Sequence, residues 1–566
     1  DVRVGFAGAV RVGVPVPVRV AVSLLPEAGP ASLVIDAPAM GPQAGPVTDT
    51  TVVPFEAEPG ALQSFDVPVV LGNIRQPLVV RVLMAGREVA RRVVPITPSL
   101  VGGRVVVTLS DEHAGLDSLS RLDERVVPAY ADADALPHRW QEYGAVDLLV
   151  IRDLDPARLD DEQRDALATW VRLGGRLVVI VRQGVPAPAF LDDILPADAG
   201  DVRSLTVSGG ATASPGAAWP PGPYTVTALA PRPGATVTRL GGIPVIASAA
   251  VGLGWVAVWG VDPWQPPVAG WAGRQGLWVG ALGPPSRPLV NVSSVADLLP
   301  NGTPIGPGVH ALVAGAIVAY LGVLYLIARR RAPGAGALAS VGVVVIALAV
   351  FWLLAGDVRG RSTSVAEVTF FEAAPGTDAA RALTVAVVSV PYGGPYRVRG
   401  APREVVGPAA ASGDLRATVA DAGTVLEGTL PAGAEMRAFQ SLALAQFAAR
   451  AEITADGRTL TVDVGPEPVR RAELRWGART YRLGDLPPGA STHAMDPSRW
   501  VSLTEIDSHT PVRAWIFQAS TGDVIMNPTT PILVGEIPHT VPVFDLADGG
   551  TVDARPAILL LPVAGR

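Results

Sequence analysis

The chain contains no cysteine and no lysine. Without cysteine there is no thiol nucleophile, no cysteinyl zinc or iron–sulfur site and no disulfide. Without lysine there is no P-loop lysine and no Schiff-base amine. Charge and aromatics are also sparse, at 17% and 5% of 566 residues. The net charge is -7 and the isoelectric point is near 5.5, which gives no basic footprint for nucleic acid. Apolar and turn-forming residues are abundant: 49% are hydrophobic, mean hydropathy is +0.35, and there are 61 glycines and 54 prolines. Such a composition implies many short strands, few long helices and about four domains at roughly 150 residues each.

Two uncharged apolar runs, 309–327 and 337–355, are each long enough to cross a bilayer as a helix. The short loop between them carries Arg329, Arg330 and Arg331, a positive-inside signal. The expectation is a transmembrane hairpin over 309–355, its loop in the cytoplasm and both large flanking regions outside. An exported N-terminal region needs a signal peptide, expected to have been removed ahead of Asp1. Arginine in place of lysine in an alanine-rich chain points to a bacterium with a GC-rich genome, and so to its plasma membrane.

Residues 1–100 alternate apolar and polar between turn-rich pieces, which predicts an immunoglobulin-like β-sandwich. Over 101–300 the pattern changes. Arg104–Leu109, Asp147–Ile151 and Arg176–Val181 read as buried strands, and Asp160–Leu173 reads as a helix with acidic residues in its first turn. Strand, helix, Gly174-Gly175 stop and strand make a crossover unit of a parallel sheet. A β-rich insertion is expected near 195–245. Residues 357–566 read as one or two further β-sandwiches. The fold class expected is thus multidomain, α/β plus all-β.

Leu136, Pro137, Trp140, Tyr143, Val146 and Asp147, followed by Trp170, Val171, Gly174 and Gly175, form a series that resembles bacterial membrane-anchored proteins of unknown function with a class I glutamine amidotransferase-like (flavodoxin-like) domain. The Gly252–Val256 return strand and the turn at 483–489 fit the same resemblance. It implies that Arg182 stands where such enzymes carry their nucleophilic cysteine. Arginine cannot serve that role, so the resemblance implies a degenerate, non-catalytic domain with envelope or transport-type partners.

Read from the residues alone, the strongest chemical cluster is Ser110, Asp111, Glu112 and His113, just past a buried strand of the parallel sheet. Adjacent residues do not converge as a triad does. Asp147, Asp153 and Asp155 flank the next strand and lack the spacing of a calcium loop. The six histidines, at 113, 138, 310, 493, 509 and 539, include no zinc motif, and no cofactor or metal is expected. Trp255, Trp259, Trp264, Trp271 and Trp278 could line a core, a membrane interface or a glycan-binding face. The leading expectation is a non-catalytic scaffold anchored in the lipid bilayer and serving a bacterial envelope complex. The alternatives are an extracytoplasmic hydrolase using Ser110 or a carboxylate cluster, and a receptor for glycan or peptide.

Overall fold

In the computed structural model the described residues are 1–23, 25, 27–39, 48–96, 103–110, 126–152, 156–182, 187–208, 212–214, 217–283, 363–390, 393–402, 404–409, 415–420, 422–430, 437–502, 530–538, 542–546, 550–554 and 556–565, with isolated positions at 290, 292, 295, 296, 299 and 315. Among these no helix is long and apolar enough to cross a membrane. The runs 309–327 and 337–355 lie outside the described residues, Gly315 apart, as do Arg329, Arg330 and Arg331. The transmembrane hairpin is therefore corrected, and with it the bilayer partner, the plasma-membrane location and the anchored envelope scaffold. Among the described residues the buried apolar side chains lie mostly on strands.

A seven-stranded sheet organises the middle of the chain. Its parallel strands are β1 (Arg104–Leu109), β2 (Val126–Ala131), β3 (Val146–Ile151), β4 (Arg176–Ile180) and β5 (Gly254–Trp259), in the spatial order β2-β1-β3-β4-β5. Antiparallel Ile243–Val251 and Thr236–Leu240 extend it beyond β5. This is one of the two common doubly wound orders, and its direction of winding reverses between β1 and β3. The strands are continuous apolar runs because both faces are covered. On one face α1 (Asp161–Arg172) buries Leu167, Trp170 and Val171 against Leu149, Leu177 and Val258. On the other, α2 (Arg274–Leu282) and Gly222–Pro231 of the insertion bury Trp278 and Tyr224 against Val106, Val178 and Trp259.

α1 begins where the sequence places it, for a local reason. Asp160 accepts from the backbone N–H of Gln163 at 2.8 Å, and the Gln163 side chain accepts from the Asp160 N–H at 3.2 Å, a reciprocal cap. Gly174, at φ +119°, releases the chain, and Gly175 allows Trp170 to lie flat over it: a Cβ there would stand 2.4 Å from the indole.

The N-terminal region is a sandwich of Val2–Val4, Pro15–Val22 and Gln63–Val70 over Thr48–Ala57, Gly29–Pro38, Leu78–Met84 and Arg87–Val94. Its second sheet does not end there. Thr50–Val52 pairs in parallel with Arg416–Thr418, so strands from both ends of the chain form one eight-stranded sheet. The C-terminal region is built on a ten-stranded sheet that includes Ser364–Ala373, Ala379–Ser389, Arg437–Gln446, Val469–Trp476 and Arg479–Leu486. Part of it packs on the eight-stranded sheet through Val365, Phe439 and Phe544. Another part packs on a four-stranded sheet through Leu460, Val462, Leu474 and Leu559. Where the two cores adjoin, buried Glu367 accepts from the N–H groups of Val543 at 2.9 Å and Phe544 at 3.1 Å, which satisfies both groups inside the core.

Candidate functional site

Ligands of doubly wound sheets sit outside the carboxyl ends of the strands, at the reversal point. Here Ser110 follows β1, Arg152 follows β3, Arg182 lies just past β4 and Asp262 just past β5. Backbone bonds from Arg152 N to Leu109 O at 3.1 Å and from Val181 N to Trp259 O at 2.9 Å keep these ends level. Strand alternation turns Ser110, Arg152 and Arg182 toward the α2 face. Arg152 donates to Asp262 Oδ2 through Nη2 at 3.0 Å and Nε at 3.2 Å, and lies 5.3 Å from the Trp264 ring centre. Asp262 Oδ1 accepts from Trp264 N at 2.9 Å. Arg152 and Asp262 are only 4% and 6% exposed. The cluster is a clasp between β3 and the β5–α2 connection, and its charges are already matched.

Ser110 is buried, and no described histidine stands beside it: His138 and His493 are engaged elsewhere. Asp111, Glu112, His113, Asp153 and Asp155 lie outside the described residues. Arg182 is half-buried. Asp147 lies at the opposite end of β3, where it accepts from Val105 N at 2.8 Å and from Arg11 at 2.5 Å, which ties the N-terminal region to the sheet. Among the described residues no group of three histidine, aspartate or glutamate side chains could hold a metal ion.

The tryptophan-rich segment is largely core. Trp259 and Trp278 are buried 4.8 Å apart, Trp271 stacks on Trp219 at 5.3 Å, and Trp255 lies under the Arg176 guanidinium at 4.4 Å. These rings converge because α2 folds back across the sheet.

The joint between the N-terminal sandwich and the α/β unit holds a polar cluster that sequence spacing does not reveal. His138 bridges Asp66 of the sandwich at 2.8 Å and Asp160, the cap of α1, at 2.9 Å. Arg19 donates to Asp66 at 2.6 Å and to Leu136 O at 3.3 Å. Beside them Glu142 is 1% exposed, and among the described residues its Oε2 has no hydrogen-bond partner. Burial pushes its carboxyl up to about 8, opposed by Arg139 and assisted by Asp66.

An open cleft of about 760 Å³ lies between the α/β unit and the ten-stranded sheet. One wall is Thr169 and Arg172 of α1, Asp193, Ile194 and the turn at 250–252. The other is the turn at 375–379 and the strand end at 444–446. Gly252, at φ +60°, is required for this approach, because a Cβ there would stand 2.4 Å from Arg172 O and 3.2 Å from Ala374 Cβ. Arg172 and Asp193 pair across the rim, and both also line a recess of about 560 Å³ beside Arg164, Asp165 and Phe190. Leu444 is 49% exposed at its mouth. Within the described residues no hydrogen bond engages the side chains of Asp378 or Gln446. Sequence reasoning missed the cleft because its walls come from segments up to 277 residues apart in number, from Thr169 to Gln446.

No family model matches the chain, and no curated protein matches it. The resemblance to amidotransferase-like membrane proteins is therefore corrected. The residues that carried it are packing residues: Tyr143 stacks on Trp170 at 5.3 Å, and Leu136 is fully buried beneath them. Helix-on-sheet joints call for such residues whatever the family. Among solved structures the chain is similar to the exo-beta-1,4-mannosidase Op5Man5 from Opitutaceae bacterium strain TAV5, at 17% identity and a TM-score of 0.24, over 33% of this chain and 37% of that one.

Proposed function

We propose that the chain is a non-catalytic receptor that holds an oligosaccharide in the cleft between its α/β unit and its C-terminal ten-stranded sheet. The observation that carries this reading is the cleft itself, about 760 Å³ and lined by Thr169, Asp193, Thr377, Asp378 and Gln446 beside Val251, Pro375 and Leu444. Carboxylate, amide and hydroxyl groups next to a small apolar patch match a ligand with many hydroxyls and C–H faces. The closed Arg152–Asp262 clasp and the burial of Ser110 support binding over hydrolysis at the carboxyl edge.

Calorimetric titration of the full chain with neutral oligosaccharides of three to six units tests the proposal. At least one should bind, and Leu444→Asp and Asp378→Ala should each weaken it about tenfold, the value of roughly 1.4 kcal/mol at a ligand contact. Both residues are exposed, so the variants should fold. Equal binding by both variants, no binding by any saccharide, or release of new reducing ends would each overturn it.

A further inference from the structure

An exposed aromatic surface lies on the rim of the C-terminal region, outside the residues that line the cleft. Trp476 ends its strand at a two-residue hairpin turn and is 42% exposed, an unusual position for the largest apolar side chain. Its ring centre is 6.5 Å from that of Trp500, with the planes at 64°. Trp500 in turn meets buried Tyr481 at 5.6 Å, and the Arg499 guanidinium lies 5.5 Å from the Tyr481 ring centre. Arg479 is the register partner of Trp476, so the two side chains share a face. The turn at 455–458 closes one side: a Cβ on Gly457 would stand 3.8 Å from the Trp476 ring. In that turn Asp456 accepts from Thr454 Oγ1 at 2.5 Å and Arg458 N at 3.0 Å, bonds that hold its carboxyl below the usual range.

We propose that this rim is a second saccharide site, and that the saccharide it takes is acidic. The inference rests on the saccharide reading of the chain and adds the ligand's charge. Trp476 and Trp500 present two inclined faces for the C–H surfaces of successive sugar units, a role indole performs with little conformational entropy to lose. Arg479 and Arg499, both exposed, supply planar donors for carboxylates, and Asp456 accepts from hydroxyls. Arg458, Arg479 and Arg499 against Asp456 and Asp496 leave a local excess of one positive charge in a chain of net charge -7. That excess selects a uronate-type oligomer over a neutral one.

The test is a titration of the full chain with trigalacturonate and with maltotriose, followed by tryptophan fluorescence. Trigalacturonate should shift the emission. Trp476→Ala should weaken its binding at least tenfold, and Arg479→Gln several-fold, with further weakening as salt rises. Leu444→Asp should leave this binding unchanged, which separates the rim from the cleft. Unaltered binding by Trp476→Ala and Arg479→Gln, or no trigalacturonate binding, would overturn the site. Equal binding of the two trisaccharides, with both weakened alike by Trp476→Ala, would overturn its acidic specificity. Competition by decaproline at the same affinity would assign the surface to a proline-rich peptide instead.

Discussion

Two buried polar arrangements define what single residues do in this molecule. The first is the Arg152–Asp262 clasp, which leaves a buried charge exposed to no solvent if either partner is lost. Arg152→Met should cost about 3–5 kcal/mol in denaturant unfolding. The double variant Arg152→Met, Asp262→Leu should recover part of that loss, because Asp262 then no longer stands as a buried charge without its arginine. The second is Glu142. Its carboxyl titrates near 8 in the folded chain against an ordinary value of 4.5, so between these values the folded state holds a proton that the unfolded state has lost. Its contribution to stability is complete below about pH 4.5 and is lost as pH rises through 8, at up to about 1.4 kcal/mol per pH unit. Glu142→Gln should flatten the fall in stability between pH 5 and 8. An unchanged slope in that variant would show that Glu142 is not its source. Asp160 acts in the opposite direction: its carboxyl is held below the ordinary value by the Gln163 N–H and by His138, so its contribution is lost as pH falls. Asp160→Ala should destabilise the chain by about 1 kcal/mol through loss of the α1 cap.

At the scale of elements, the β-rich architecture raises the problem of free edges. Arg87–Val94 ends the eight-stranded sheet and is exposed along almost its whole length. Its register shifts between Val82 and Leu83 of the neighbouring strand, and Arg92 stands opposite Val80, a core residue. An irregular register with an inward-facing charge is a device against edge-to-edge pairing. Arg91→Val with Arg92→Val should therefore keep the fold and raise concentration-dependent light scattering; unchanged scattering would show that the edge is guarded by something else. Elements were legible in the sequence where their cause is local. The acidic cap, the helical spacing of Leu167, Trp170 and Val171, and the Gly174-Gly175 stop all lie within one stretch, and the crossover unit formed as expected. The apolar runs at 309–327 and 337–355 were read by the same logic, yet no membrane-crossing helix occurs among the described residues.

At the scale of the whole molecule, the features that matter are joints between distant segments. Thr50 pairs with Arg416, Gln141 donates to Leu442 O at 3.2 Å, and Gln440 donates to Gly13 O at 3.4 Å. None of these has a signature in local periodicity, and for the same reason neither the cleft nor the aromatic rim is legible in the sequence; of the cluster at 110–113, Ser110 alone lies among the described residues, and it is buried. Gly252 is the joint most sensitive to a single change. Gly252→Val should separate the α/β unit from the 374–379 turn and lower the unfolding midpoint, because its Cβ has no room and its φ is left-handed. The central claim, that a saccharide occupies the cleft without being cleaved, is tested most directly by hydrogen exchange of the full chain with and without a bound oligosaccharide, with the sugar recovered and sized afterwards. The account predicts slowed exchange at 375–379 and 444–446 and an intact sugar. Unchanged exchange at both segments while the sugar is bound, or a shortened sugar, would contradict it.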